Sequence, residues 1–147
     1  MPIVSLVAAA LVAACLLVLA FIHVYWGLGG AWPARTRAEL GPMVVGTPPR
    51  DANAMPDLAA CLIVAGLLIT AATLIVGARL HAEPSWIWRV GSAGVGVVLA
   101  LRGVGGYFDA RLRPATREQP FFALNRRIYS PLCLVLASLI TLVLVAA

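Results

Sequence analysis

The stretch Ala100-Leu-Arg-Gly-Val-Gly-Gly-Tyr-Phe-Asp109 places one arginine, Arg102, inside an otherwise apolar segment. At helical spacing Arg102 shares one face with Gly105 and Gly106, so a side chain that is costly to bury lies beside a surface without side chains. Charges within membrane spans are rare, usually face the bundle interior, and by default mark a functional site or a structural ion pair. We therefore expect this face to meet protein rather than lipid.

The composition around this stretch is that of a membrane protein. Of the 147 residues, 62% are hydrophobic and 12% are charged, and the mean hydropathy is +0.96. Four apolar runs are long enough, or nearly so, to cross a hydrocarbon core of about 30 Å as helices of roughly 20 residues. Because backbone groups cannot stay unpaired in lipid, we predict an all-α integral membrane bundle of four antiparallel transmembrane helices. The spans cover about 3–26, 57–80, 87–107 and 130–147, within one domain over residues 1–147.

Two segments between the spans hold most of the charge. Residues 31–55 are rich in Pro and Gly and predict a long loop that partly covers the bundle. Residues 110–129 place apolar side chains on one helical face and arginines elsewhere, which predicts a short interfacial helix before the fourth span. Ser130 and Pro131 then have the pattern of a cap and a first-turn proline, and predict the start of that span.

The charge balance indicates an orientation in the membrane. The net charge is +5, and every basic side chain other than histidine is an arginine. Most arginines flank the first and third loops, so the positive-inside rule predicts a multi-pass cell-membrane protein with those loops in the cytoplasm and both termini outside. Contact with lipid headgroups accounts for most of these arginines, and we expect membrane lipids as partners and no nucleic acid.

The unusual polar residues gather near one predicted membrane boundary. His23 suits proton transfer near neutral pH, although a histidine bonded to a backbone carbonyl is an equally simple interpretation. Asp57 can orient His23 or pair with Arg102, and capping of the second span also accounts for it. We predict His23 and Asp57 as catalytic residues. The predicted ligand-binding residues are Arg102, Trp26, Tyr107, Asp109, Asn125, Tyr129 and Ser130.

No motif predicts a metal or a cofactor. The two histidines, His23 and His81, fall near opposite membrane faces, so they do not form a metal site. The three cysteines lie one to a span without CxxC spacing, which indicates buried apolar thiols rather than a redox pair. Phosphate-binding loops and nucleophile elbows are also missing from the sequence.

Three motifs carry a family resemblance: His23-Val-Tyr-Trp-Gly-Leu-Gly-Gly30, Leu101-Arg-Gly-Val-Gly-Gly-Tyr107 and Phe122-Ala-Leu-Asn-Arg-Arg-Ile-Tyr-Ser-Pro-Leu-Cys133. Together they resemble the small bacterial membrane proteins classed as domain of unknown function 3995, and the likeness covers nearly the whole chain. The resemblance implies four spans and no assigned activity, so a function has to be argued from the site itself.

Two classes of function remain open, and whether the protein is an enzyme is open with them. In the first, the protein binds or modifies a lipid or isoprenoid-like molecule, with Arg102 holding an anionic or carbonyl group and His23 moving a proton. In the second, it is a non-catalytic accessory or scaffold subunit that docks a protein partner or a second copy through the small residues on the third span and the long basic loop. Arg102 would then be a structural tie to Asp57 or Asp109.

Overall fold

The computed structural model describes residues 2–46, 55–81 and 85–146, most of them helical, and no strand occurs among them. Four helical segments of this part are long and apolar enough to cross a membrane. In chain order the helices are α1 (Pro2–Gly27), α2 (Arg37–Val44), α3 (Leu58–Leu80), α4 (Trp86–Leu112), α5 (Pro120–Leu124) and α6 (Ser130–Val145). The prediction of an all-α membrane protein with four spans is confirmed.

The core of the bundle is built from α1, α3 and α6. Small alanine side chains on α1 and α3 allow their backbones to approach closely, as is common between membrane helices. α4 packs against α6 and α3 at the side of the bundle, where its partly buried Val95 and Leu99 contact the buried cluster. The buried cluster consists of Ala8, Ala9, Val12, Ala13, Leu16, Ala71, Ala72, Ile75, Leu136, Ile140 and Val143.

Contacts at both ends of the bundle align α1 with α3. Arg79 Nε donates to Ser5 Oγ at 2.9 Å, so the end of α3 lies beside the start of α1. A Cβ atom at Gly27 would lie 3.0 Å from side-chain atoms of Leu58 and Cys61, so the end of α1 lies beside the start of α3. We call the end of the bundle that contains Gly27 and Leu58 the polar end; α2, α5 and the end of α4 also lie there.

The first loop contains a helix, α2, that the sequence pattern does not predict. Its cap is Thr36, whose side chain accepts a hydrogen bond from Glu39 N at 3.3 Å, and Leu40 is fully buried. The cap and the burial together offset the low helix propensity of the glycine and proline inside α2. The abundance of Pro and Gly favoured a loop without regular structure. Residues 47–54 of that loop lie outside the described residues.

The helical segment that contains the fourth predicted span begins at Pro120, ahead of residue 130. α5 continues through a π turn, Asn125–Tyr129, directly into α6. The predicted capping role of Ser130 is wrong, because its backbone is helical and its N–H donates to Asn125 O. A proline ring clashes with the carbonyl four residues before it, and the wider π turn relieves that clash just ahead of Pro131.

The third helix also extends beyond the span predicted within it, because α4 continues past residue 107 to Leu112. An ion pair of 2.6 Å between Asp109 and Arg113, one turn apart, supports the added turn. At 1.5 Å per residue α4 is about 40 Å long, longer than a hydrocarbon core of about 30 Å. The segment predicted as interfacial thus contains the end of α4, a 3-10 turn (Pro114–Glu118) and α5.

Candidate functional site

Asn125 is the centre of the polar network that joins α4 to the fourth span. Its side chain is 1% exposed, and its Nδ2 donates to Gly106 O at 2.9 Å. Its Oδ1 accepts from Arg102 Nη2 at 3.0 Å and, more weakly, from Ser130 Oγ at 3.4 Å. One buried amide therefore uses both of its polar atoms to fix the end of α4 against the fourth span. We call these four residues the Arg102–Asn125 network.

The close approach within this network depends on Gly106. A Cβ atom there would lie 2.9 Å from Arg102 Nη1 and 3.1 Å from Asn125 Nδ2. It would also overlap Ser130 Oγ. Glycine at this position therefore admits the guanidinium, the amide and the hydroxyl to the surface of α4.

Arg102 lies on the outside of the bundle with its side chain directed toward the polar end. The residue is exposed, and its guanidinium reaches Gly106, one turn closer to that end. Long basic side chains extend in this way from apolar helices toward water. A Cβ atom at Gly94 or Gly105, on the same flank of α4, would meet nothing within 4 Å. The expected protein contact is therefore made at Gly106 and through the hydrogen bond of Arg102 to Asn125, whereas the surface at Gly94 and Gly105 stays open within the described part of this chain.

Arg102 has no carboxylate partner in the described part of the chain. The ion pair that forms there joins Asp109 to Arg113. Asp109 is bound to the last turn of α4 through that pair. Asp57 caps α3 instead, and its Oδ1 accepts from Ala60 N at 2.8 Å. Neither of the suggested ties from Arg102 to Asp57 or Asp109 appears among these contacts, whereas the capping interpretation of Asp57 is confirmed.

His23 and Trp26 lie together at the end of α1, apart from the Arg102–Asn125 network. Their ring centroids are 5.3 Å apart, and His23 Nδ1 lies 2.8 Å from Leu19 O. Because a carbonyl only accepts hydrogen bonds, Nδ1 is the donor in this contact. No hydrogen bond, ion pair or ring contact between described residues joins His23 to Arg102 or to Asp57.

The described part of the first loop, residues 31–46, is held over the polar end by side-chain hydrogen bonds to main-chain carbonyls. These bonds are Trp26 Nε1 to Trp32 O at 2.7 Å, Arg37 Nη1 to Trp26 O at 2.6 Å, Tyr129 Oη to Met43 O at 3.3 Å and Arg113 Nη1 to Val45 O at 3.3 Å. Trp26 and Tyr129, both predicted to bind ligand, therefore have structural partners in this loop.

A cleft of about 390 Å³ lies between the end of α4 and α5. The guanidinium carbon of Arg126 lies 5.6 Å from the centre of the Phe122 ring. Five helical residues separate Tyr107 from Arg102, a rotation of about 140°, so the two side chains lie on different flanks of α4. We call this site the basic cleft; its lining is Tyr107, Phe122, Ala123, Arg126 and Arg127.

The family model described as protein of unknown function (DUF3995) matches residues 16–140. The chain belongs to this family. The match runs from within α1 to within α6, so it includes the Arg102–Asn125 network and the basic cleft. No curated protein and no solved structure matches the chain.

The predicted site residues of this DUF3995 chain thus lie in several separate places. Arg102, Asn125 and Ser130 form one network, as their common depth suggested. Tyr107 lines the basic cleft, and the remaining predicted residues bind the first loop or stabilise helix ends. Arg126 and Arg127 of the cleft were not predicted as site residues, because two adjacent loop arginines were interpreted as general headgroup contacts. Among the described residues, no three His, Cys, Asp or Glu side chains are grouped to hold a metal ion.

Proposed function

We propose that this DUF3995 protein binds the polar group of a lipid or isoprenoid-like molecule at the Arg102–Asn125 network. The observation that carries the proposal is the uncompensated charge of Arg102. The residue is exposed on an apolar helix, its backbone lies about 15 Å before the end of α4, and it has no carboxylate partner among the described residues. The hydrogen bond to Asn125 leaves other N–H donors of the guanidinium for an anionic or carbonyl oxygen.

The environment of Asn125 supports this proposal because it fixes the direction of the guanidinium. The amide is buried and bound to Gly106 O, so its Oδ1 atom is held in place for Arg102. Binding sites gain affinity when their polar groups are ordered before the ligand arrives. π turns such as Asn125–Tyr129 are also frequent at functional sites.

The proposal favours binding over catalysis. His23 is bonded to a backbone carbonyl and Asp57 caps a helix, so the catalytic roles predicted for them stay predictions. The same holds for ligand contacts at Trp26, Tyr107 and the other residues outside the network. By the positive-inside rule the polar end faces the cytoplasm, and both termini lie outside.

The binding proposal predicts a thermal shift. We expect farnesyl phosphate to raise the melting temperature of the detergent-purified wild type by several degrees, because a ligand that binds only the folded state stabilises it. Farnesol, which has the same chain without the phosphate, is expected to cause a smaller shift. Arg102→Leu should abolish the difference between the two compounds.

Arg89→Leu is the matched control for that experiment, since Arg89 is an exposed arginine near the opposite end of the same helix. It should retain the phosphate-dependent shift. An equal shift for phosphate and alcohol in the wild type, or a full phosphate effect in Arg102→Leu, would contradict the proposal.

A second candidate function is that of an accessory or scaffold subunit. The open flank of α4 favours it: 11% of the most apolar window of α4 is buried, against 28% to 39% in the other three spans. Gly94 and Gly105 on this flank leave room for another helix, either of a partner or of a second copy. A complex that survives mild detergent and is lost in Gly105→Leu would favour this candidate over the first.

A further inference from the structure

An open groove of about 750 Å³ runs along the outer side of the α4 and α6 pair. Its surface is mostly apolar, and the hydroxyls of Ser138 and Thr141 donate to carbonyls of their own helix at 2.9 and 3.0 Å. Small residues of α4 leave the space between the two helices open. The lining consists of Ala93, Gly96, Val97, Ala100, Leu134, Ala137, Ser138, Ile140, Thr141, Leu144 and Val145. We call it the α4–α6 groove.

The α4–α6 groove and the basic cleft lie on the same flank of α4. Ala93, Val97 and Ala100 of the groove recur at helical spacing, and the same line continues to Tyr107 in the cleft. From Ala93 to Tyr107 the distance along the helix is about 21 Å, more than half of a hydrocarbon core of about 30 Å. Groove and cleft together therefore suit one hydrocarbon chain that extends inward from the polar end.

The groove is mostly apolar, which suits the tail of a lipid, and the cleft is basic, which suits an anionic headgroup. The cleft presents Arg126 and Arg127, both exposed and neither in an ion pair with a described residue. Guanidinium groups match the geometry of phosphate oxygens, and the Tyr107 hydroxyl can add a further hydrogen bond. An anionic lipid headgroup carries the negative charge that balances these two arginines.

We propose that the α4–α6 groove and the basic cleft form a binding site for one anionic phospholipid. An acyl chain lies along Ala100, Val97 and Ala93, and the phosphate lies between Arg126 and Arg127. This site is on a different flank of α4 from Arg102, and it does not rest on the function proposed above.

The test is a titration of the delipidated protein with phosphatidylglycerol or phosphatidylcholine, followed by native mass spectrometry. We expect the double variant Arg126→Gln/Arg127→Gln to weaken the first phosphatidylglycerol bound by about tenfold, because it removes two charge-assisted contacts. The control Arg35→Gln/Arg117→Gln removes the same charge from exposed positions outside the cleft and off the groove-lining face of α4, and should change binding little. Phosphatidylcholine should bind the wild type more weakly.

A second pair of variants tests the groove independently of charge. Ala100→Leu fills the groove and should weaken phosphatidylglycerol binding, whereas Val98→Leu adds a methylene group at a similar depth on another flank and should not. Equal losses in the two arginine variants, equal binding of the two lipids, or full binding by Ala100→Leu would overturn the proposal. Arg102→Leu should leave this lipid bound, which separates the site from the Arg102–Asn125 network.

Discussion

Gly106→Ala is expected to destabilise the protein by about 1–3 kcal/mol, the usual cost of forcing an added methyl group into a packed contact. The new Cβ atom would overlap Ser130 Oγ and would lie 2.9 Å from Arg102 Nη1. At least two side chains of the network would have to move. Unfolding in mixed detergent and denaturant, followed by circular dichroism, measures the loss.

The adjacent residue provides the control for this substitution. A Cβ atom at Gly105 would meet nothing within 4 Å, so Gly105→Ala should leave stability unchanged or raise it by about 0.5–1 kcal/mol through better helix propensity. Helix propensity alone would predict the same gain at both glycines. Equal stabilities of the two variants would therefore contradict the packing assigned to Gly106.

Asn125→Leu is expected to lower stability by about 2 kcal/mol. The change removes hydrogen bonds to Arg102, Gly106 O and Ser130, each of which contributes roughly 0.5–1 kcal/mol in a membrane protein. Leucine has a similar volume, so packing alone should change little. The same unfolding experiment measures the loss, and the Arg102 side chain should become more accessible to arginine-specific reagents.

Ser138→Ala is the matched control, because Ser138 is an exposed polar residue of the same span that bonds its own helix. Its loss should change stability by less than about 0.5 kcal/mol. If Asn125→Leu lowered stability no more than Ser138→Ala does, the amide would not be holding α4 to the fourth span.

The sequence is sufficient to predict much of the fold because the bilayer restricts the possible structures. Length and hydropathy predicted four spans, and Asp57 before an apolar run predicted the cap of α3 that forms. The π turn was not predictable in this way. Ser130 and Pro131 have the pattern of a helix start, and that pattern does not reveal that the helix continues through a wider turn. The burial of Leu40, which stabilises α2, likewise depends on tertiary contacts.

The sequence predicted how far along each span the candidate site residues lie, but not which neighbouring helix each of them faces. Counting residues along each span put Arg102, Asn125 and Tyr107 near one boundary. The side of α4 that each residue faces depends on which helices α4 packs against, and that order is not encoded in hydropathy. Helical rotation puts Arg102 and Tyr107 on different flanks of α4, and the packing of α4 against α6 places one flank beside Asn125 and the other beside the basic cleft.

Native mass spectrometry of the protein with its co-purified small molecules tests the central claim most directly, with wild type, Arg102→Leu and Arg126→Gln/Arg127→Gln purified in parallel. Binding at the Arg102–Asn125 network predicts a discrete bound mass that Arg102→Leu loses and the double variant retains. A correctly folded wild type without a bound molecule, or the same bound masses in wild type and Arg102→Leu, would contradict that claim.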